Sequence, residues 1–140
     1  MTMAEDLRTL EEFELFKAQI EALKQNLELI DISINELQKV SEGLGVIGST
    51  KDGSEILVPM GADSFINAKV TDTQNVIIGL GAGVATKKSI AEAKSDIEKR
   101  IKGLEEIRND TKEKLQTALK KFDELTPRVQ EIISKIQKEG

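Results

Sequence analysis

Two long runs of apolar residues at alternating three- and four-residue spacing flank a short block in which glycines interrupt period-two alternation. In the first run Phe13, Phe16, Ile20, Leu23, Leu27, Ile30, Ile34 and Leu37 make one stripe. In the second the same spacing picks out Ile90, Ile97, Ile101, Leu104, Leu115, Ala118, Phe122, Leu125, Val129, Ile132 and Ile136. Such a stripe keeps one helix face turned to a partner helix, and persistence well beyond about 20 residues marks a coiled coil rather than a globular helix. The expected fold is α+β: a long antiparallel α-helical coiled coil with two central β-hairpins that join those of other chains in an intersubunit platform, a β-barrel or a sheet. The corresponding segments are 1–45 for the first helix, 46–86 for the hairpins and 87–140 for the second helix.

Composition narrows the chemistry. The chain of 140 residues contains no His, Cys, Trp or Tyr. Disulfides, thiolate nucleophiles, imidazole acid–base chemistry and nearly all transition-metal ligation are therefore out of reach. No cofactor and no catalytic residue is expected. Residues 1–10 carry Glu5 and Asp6 where a signal peptide would be apolar, and the glycine-rich run Val76 to Ala85 is about half the length needed to cross a bilayer. The expectation is a soluble, cytoplasmic protein without a membrane partner.

Charge is distributed unevenly. Residues 1–45 hold 4 basic and 10 acidic groups, residues 46–87 hold 3 and 4, and residues 88–140 hold 13 and 11. An arm at −6 beside one at +2 suits two helices lying side by side. Because the lysines alternate with Glu and Asp instead of forming a basic stripe, nucleic acid is not an expected partner.

The first helix is expected to begin near Ala4 to Leu7 and to fade at Gly43 and Gly45; the second, to start around Lys87 to Ile90. At 1.5 Å per residue these are rods of about 60 and about 75 Å. Pro127 cannot donate a backbone hydrogen bond, so the second helix should kink there or restart with Thr126 as cap. Between the arms Val46 and Ile47 are expected to open a strand that turns at Lys51-Asp52-Gly53 and returns through Glu55 to Pro59. Gly61-Ala62-Asp63 breaks the chain again, Phe65 to Val70 alternates as a half-buried strand, and Val76 to Leu80 supplies the last one. Strands this short cannot bury both faces within one chain. Ile56, Val58, Ile66, Ala68, Val70, Val76 and Ile78 are the residues expected to be covered on oligomerisation.

Glycine motifs in this block have structural readings. Gly79-Leu80-Gly81-Ala82-Gly83 lacks the third-glycine spacing and the following acidic strand end of a dinucleotide loop, and is expected to turn the sheet into the second helix. Gly83 to Ser89 lacks the glycine-lysine pair of a phosphate loop and is expected to be a helix start. In the seams Lys94, Arg108 and Thr111 interrupt the second line and Ser41 the first, with Ser41 near Lys94 if Leu44 faces Ile90; such polar positions usually set register.

Extending the first seam backwards gives Thr9 and Asp6, which leaves Leu7 and Leu10 off the stripe with Met1 and Met3 beyond. Ile133 is likewise off the second seam, beside Ile132 and Ile136. Either the helix pair frays here and these side chains pack locally, or Met1, Met3, Leu7, Leu10, Ile132, Ile133 and Ile136 form an adaptable apolar binding surface.

The order helix, two hairpins, helix, with Ile56-Leu57-Val58-Pro59-Met60-Gly61-Ala62-Asp63-Ser64-Phe65 and Val76-Ile77-Ile78-Gly79-Leu80-Gly81-Ala82-Gly83-Val84, closely resembles the archaeal prefoldin alpha subunits over essentially the whole chain. That resemblance implies an alpha2 beta4 hetero-hexamer with prefoldin beta subunits, joined by β-barrels. It also implies an ATP-independent holdase that captures unfolded polypeptides at coiled-coil tips and delivers them to a group II chaperonin. The alternative is a scaffold coiled coil whose sheet dimerises it and whose tips bind one specific partner; an enzyme comes third.

Overall fold

The computed structural model describes residues 2–139. The chain runs α1 (Met3–Gly48), β1 (Glu55–Gly61), β2 (Ser64–Lys69), β3 (Asn75–Gly81), β4 (Val84–Ser89) and α2 (Ile90–Glu139). It divides into two compact units: Met1–Ser33 with Leu104–Gly140, called here the terminal unit, and Ile34–Gly103, the hairpin unit.

In the terminal unit the two helices pack antiparallel, since rising numbers in α1 meet falling numbers in α2. Asp31 meets Arg108 at 2.5 Å, the rings of Phe13 and Phe122 stack with centroids 4.4 Å apart, and Asp6 meets Arg128 at 2.9 Å. Ile20, Ala118, Val129 and Ile132 are its buried residues, and the other expected seam residues of this unit are half-buried, apart from exposed Ile136. Arg108, a polar interruption of the second seam, is answered across the helix pair by Asp31, which suits a register role. Pro127 lies inside an unbroken α2, so no restart occurs. Thr126 does not cap; its hydroxyl donates to the Phe122 carbonyl one turn back at 2.8 Å, a bond that satisfies the side chain within the helix.

In the hairpin unit α1 continues to Gly48, past the expected stop at Gly43 and Gly45, and Val46 and Ile47 are helical rather than a strand. Tertiary packing explains the difference. Leu44 is buried in a cluster with Ala93 and Ile97, against which Leu37, Val76, Ile78, Ile90 and Ile101 pack. Burying such side chains contributes about 1.5–3 kcal/mol each, more than the roughly 1 kcal/mol that a helical glycine costs. Gly48 also passes close to α2, for a Cβ there would touch Ile90 Cγ2 at 3.4 Å. Ala93, fully buried, takes the seam position expected for Lys94. Lys94 is exposed, its Nζ 3.7 Å from where a Cβ on Gly45 would stand.

The four strands form two separate antiparallel pairs, β1 with β2 and β3 with β4, and neither pair closes into a barrel. Both hairpins are built alike. Ala62 and Asp63 link Gly61 to Ser64, Ala82 and Gly83 link Gly81 to Val84, and all four linking residues have positive φ, as a two-residue type I′ turn requires. Just before each turn the register shifts, between Pro59 and Gly61 and between Gly79 and Gly81. The Gly79 to Gly83 motif is thus a hairpin turn rather than a sheet-to-helix exit, and Val84 to Ser89 is a fourth strand rather than a helix start. The helix begins one residue later, where Ser89 Oγ accepts the Glu92 amide at 3.2 Å as an N-cap.

Lys51, Asp52 and Gly53 turn α1 into β1 instead of joining two strands. The Asp52 carboxylate accepts from both the amide (3.2 Å) and the hydroxyl (2.7 Å) of Thr73, tying this turn to the link between the hairpins. In that link Asp72 accepts the amides of Gln74 and Asn75, and the Gln74 carbonyl receives the amide of Ile90. Second hairpin and second helix are thereby joined through one short loop.

Candidate functional site

The terminal unit carries an apolar groove where α1 begins and α2 finishes. Thr2 starts α1 by accepting the Glu5 amide on its hydroxyl at 3.2 Å. One turn on, Asp6 occupies a seam position that would ordinarily be apolar, and its side chain is only 14% exposed. Its charge is answered from α2: Arg128 Nη2 donates to it at 2.9 Å and Lys135 Nζ lies 3.9 Å away. Arg128 Nη1 also approaches Glu131 at 3.8 Å.

Beside this ionic cluster Met3, Leu7, Leu10, Ile132 and Ile136 line a groove of about 280 Å³, with Lys135 and Glu139 also at its walls. Met3, Leu7 and Ile136 are exposed and Leu10 is half-buried. Ile132, which the sequence puts both on the seam and in the apolar tip set, is 3% exposed: its seam position turns it towards α1, and it forms the floor of the groove. Ile133 is exposed but does not line the groove, and Met1 lies outside the described residues. The groove can hold apolar side chains of modest size, since its cations and anions are largely occupied with one another.

The hairpins present a second surface. Ile56 pairs with Ala68 and Val58 with Ile66, so these four share one face of the first hairpin. Val58 and Ile66 are exposed, whereas Ile56 and Ala68 are half-covered. Three expected assembly residues pack within the chain itself: Val70 is buried, and Val76 and Ile78 pack against the Leu44 cluster. Val70 also exchanges backbone hydrogen bonds with Gly53 and Ser54, which holds it at the base of the hairpin.

Sequence reasoning missed the most exposed apolar residues here: Leu57, Met60, Phe65, Leu80, Val84 and above all Ile77, 77% exposed. A signal was present, for Val76-Ile77-Ile78 is apolar on both strand faces. A strand with one watered face would alternate.

A family model described as "Prefoldin subunit" matches residues 16–135, which include most of both helices and all four strands. The chain belongs to the prefoldin family. Its relatives place it with the alpha subunits of that chaperone family. It is 44% identical over 104 residues to prefoldin subunit alpha 1 of Thermococcus kodakarensis, covering 71% of each chain. It is 36% identical over 138 residues to prefoldin subunit alpha of Pyrococcus horikoshii, covering 95% of this chain and 93% of the relative. In fold it is similar to a chain of the filamentous PFD from Methanocaldococcus jannaschii, solved by cryo-EM, with TM-score 0.72 and 24% identity over 84% of this chain and 98% of that one. It is also similar in fold to the prefoldin beta subunit from Thermococcus strain KS-1, with TM-score 0.57 and 17% identity over 91% and 90% of the two chains. Among the described residues no helix of this prefoldin subunit is long and apolar enough to cross a membrane.

Proposed function

We propose that this chain is the alpha-type subunit of an ATP-independent cytoplasmic holdase, which captures unfolded polypeptides in the terminal groove and passes them to a group II chaperonin. It acts by binding and not by catalysis. The observation that carries the reading is the groove itself: Met3, Leu7 and Ile136 stand exposed around a buried Ile132 floor, next to ion pairs that leave little free charge to repel an apolar segment. Flexible methionine and aliphatic side chains suit ligands of varied sequence.

Assembly would occur through the hairpins. Each is a two-stranded sheet with apolar residues on both faces and unpaired edges, which is marginal in water and prone to aggregation unless covered. Beta-type prefoldin subunits in an alpha2 beta4 hexamer are the proposed cover, completing β-barrels between chains. A groove this small grips weakly, and several grooves carried on one assembly would gain avidity through high effective concentration.

The deciding experiment mixes the full chain with the beta-type subunit of the same organism and measures the mass of the product and its suppression of aggregation of several unrelated unfolded proteins, without ATP. Broad protection by a two-plus-four complex is expected. A homo-oligomer that protects nothing would instead favour a scaffold with one specific partner.

A further inference from the structure

Helix α1 is apolar on more than the face it turns to α2. Within the terminal unit Leu15, Ala18, Ala22, Leu29 and Ile32 follow heptad spacing with Gln25 filling the one gap, and they form a stripe on the side away from the Phe16, Ile20, Leu23, Leu27 and Ile30 seam. Leu15 is 70% exposed, Leu29 63%, and Ile32 about half. Along one flank run Glu14, Glu21 and Glu28, one heptad apart and exposed, and none of the ion pairs among the described residues involves them. Lys17 and Lys24 lie beyond them on the seam side, while the opposite flank carries Glu12, Gln19, Asn26 and Ser33. A heptad apolar stripe with charge of one sign beside it is the arrangement by which helices choose partners.

We propose that this stripe is a second binding surface, for cationic amphipathic segments: apolar side chains lie on Leu15, Leu29 and Ile32, and Lys or Arg side chains reach Glu14, Glu21 and Glu28. Another copy of α1 fits poorly. Antiparallel pairing would set the two glutamate rows against each other, and parallel pairing would set them against the uncharged Gln19, Asn26 and Ser33. The stripe offers only a few side chains, well below the roughly 1,200 Å² of buried surface typical of a stable interface, so binding is weak and reversible. This surface deepens the capture reading above, on which the identification of its occupant as a segment of a non-native polypeptide rests; the charge preference follows from α1 alone.

The test titrates the full chain with two fluorescent peptides of equal length and identical leucine pattern, one with lysine at its polar positions and one with glutamate. The Leu/Lys peptide should bind, and its affinity should fall about tenfold in the triple variant Glu14→Gln, Glu21→Gln, Glu28→Gln, which removes three pairs of about 0.5 kcal/mol each. It should fall similarly in Leu29→Gln with Ile32→Gln, while the Leu/Glu peptide binds weakly or not at all. The tip variant Leu7→Gln with Ile136→Gln should leave Leu/Lys binding unchanged. Equal binding of both peptides, or loss only in the tip variant, would overturn the proposal, as would self-association of the chain abolished by the Leu29 and Ile32 changes. Unchanged aggregation suppression in the tip variant, with Leu/Lys binding behaving as expected, would count against tip capture and leave this surface standing.

Discussion

Asp6 and Arg128, separated by 122 positions in sequence, are joined by a 2.9 Å charged hydrogen bond that closes the terminal unit where α1 begins. The carboxylate is largely covered, and both its cations come from α2. Asp6→Asn should therefore loosen the first turns of α1 by about 1 kcal/mol while leaving the Phe13–Phe122 stack in place. Hydrogen exchange resolved by residue provides the check: several-fold faster exchange confined to the start of α1 is expected, and a uniform change along the helix would show that the pair has no local role.

Two neighbours on α2 should part company on substitution. Ile132 is core and Ile136 is exposed rim, although both line the same groove. Ile132→Ala should cost about 2–5 kcal/mol of stability by opening a cavity. Ile136→Gln should change stability by less than about 0.5 kcal/mol yet weaken the proposed capture of unfolded protein. Thermal denaturation alongside an aggregation assay separates the two effects; equal losses of stability would contradict the different burial of these residues.

The hairpins divide in the same manner. Val70→Asp places a charge in the chain's own core and should unfold the hairpin unit, lowering the melting temperature of the isolated chain. Ile77→Asp alters a residue in open solvent and should leave the helical circular dichroism signal intact. In the proposed assembly it should nevertheless block complex formation with beta-type subunits, read by native mass spectrometry. A full complex from the Ile77 variant would exclude that face of β3 from the interface.

Two carboxylates of the hairpin unit tie its stability to pH in acid. The Lys88 ammonium, which donates to Asp96 at 2.6 Å and adds its charge, holds that carboxyl below the usual aspartate range. The Gln74 amide, then the Asn75 side chain, do the same for Asp72. Groups lowered on folding stabilise above their unfolded value of about 3.9 and lose that contribution as pH falls through the lower folded value. Denaturation midpoints should accordingly be flat from pH 6 to about pH 4.5 with respect to these two groups and fall below about pH 4. Asp96→Asn should flatten the acid limb, and an unchanged limb would show that the Lys88 pair makes no contribution.

Both helices, their antiparallel seam and the two glycine-centred breaks at Gly61 and Gly81 were legible in the sequence because each rests on local periodicity or backbone geometry. Even the cap at Ser89 had a local signal in the Ser89 to Glu92 spacing, although the lysines before it read as a helix start. Leu7 and Leu10 were visible as departures from the heptad, whereas Ile132 and Ile136 both lie on it, so periodicity did not separate floor from rim. Ile132 falls on the seam and is covered by α1, while Met3, Leu7 and Ile136 are left around it.

What the sequence determined by itself is the long amphipathic helices, by heptad spacing, and the chain breaks at Gly61 to Asp63 and Gly81 to Gly83, by their glycines. Only tertiary structure decided where α1 ends, which of Ala93 and Lys94 enters the seam, and which apolar strand residues belong to the chain's own core. The reason is that each of these choices is nearly balanced locally. Glycine disfavours the last turn of α1 by about 1 kcal/mol, and adjacent positions in a helix differ little in propensity. Burial of Leu44 against Ala93 and Ile97 is worth about 1.5–3 kcal/mol, and that contact joins residues far apart in the chain.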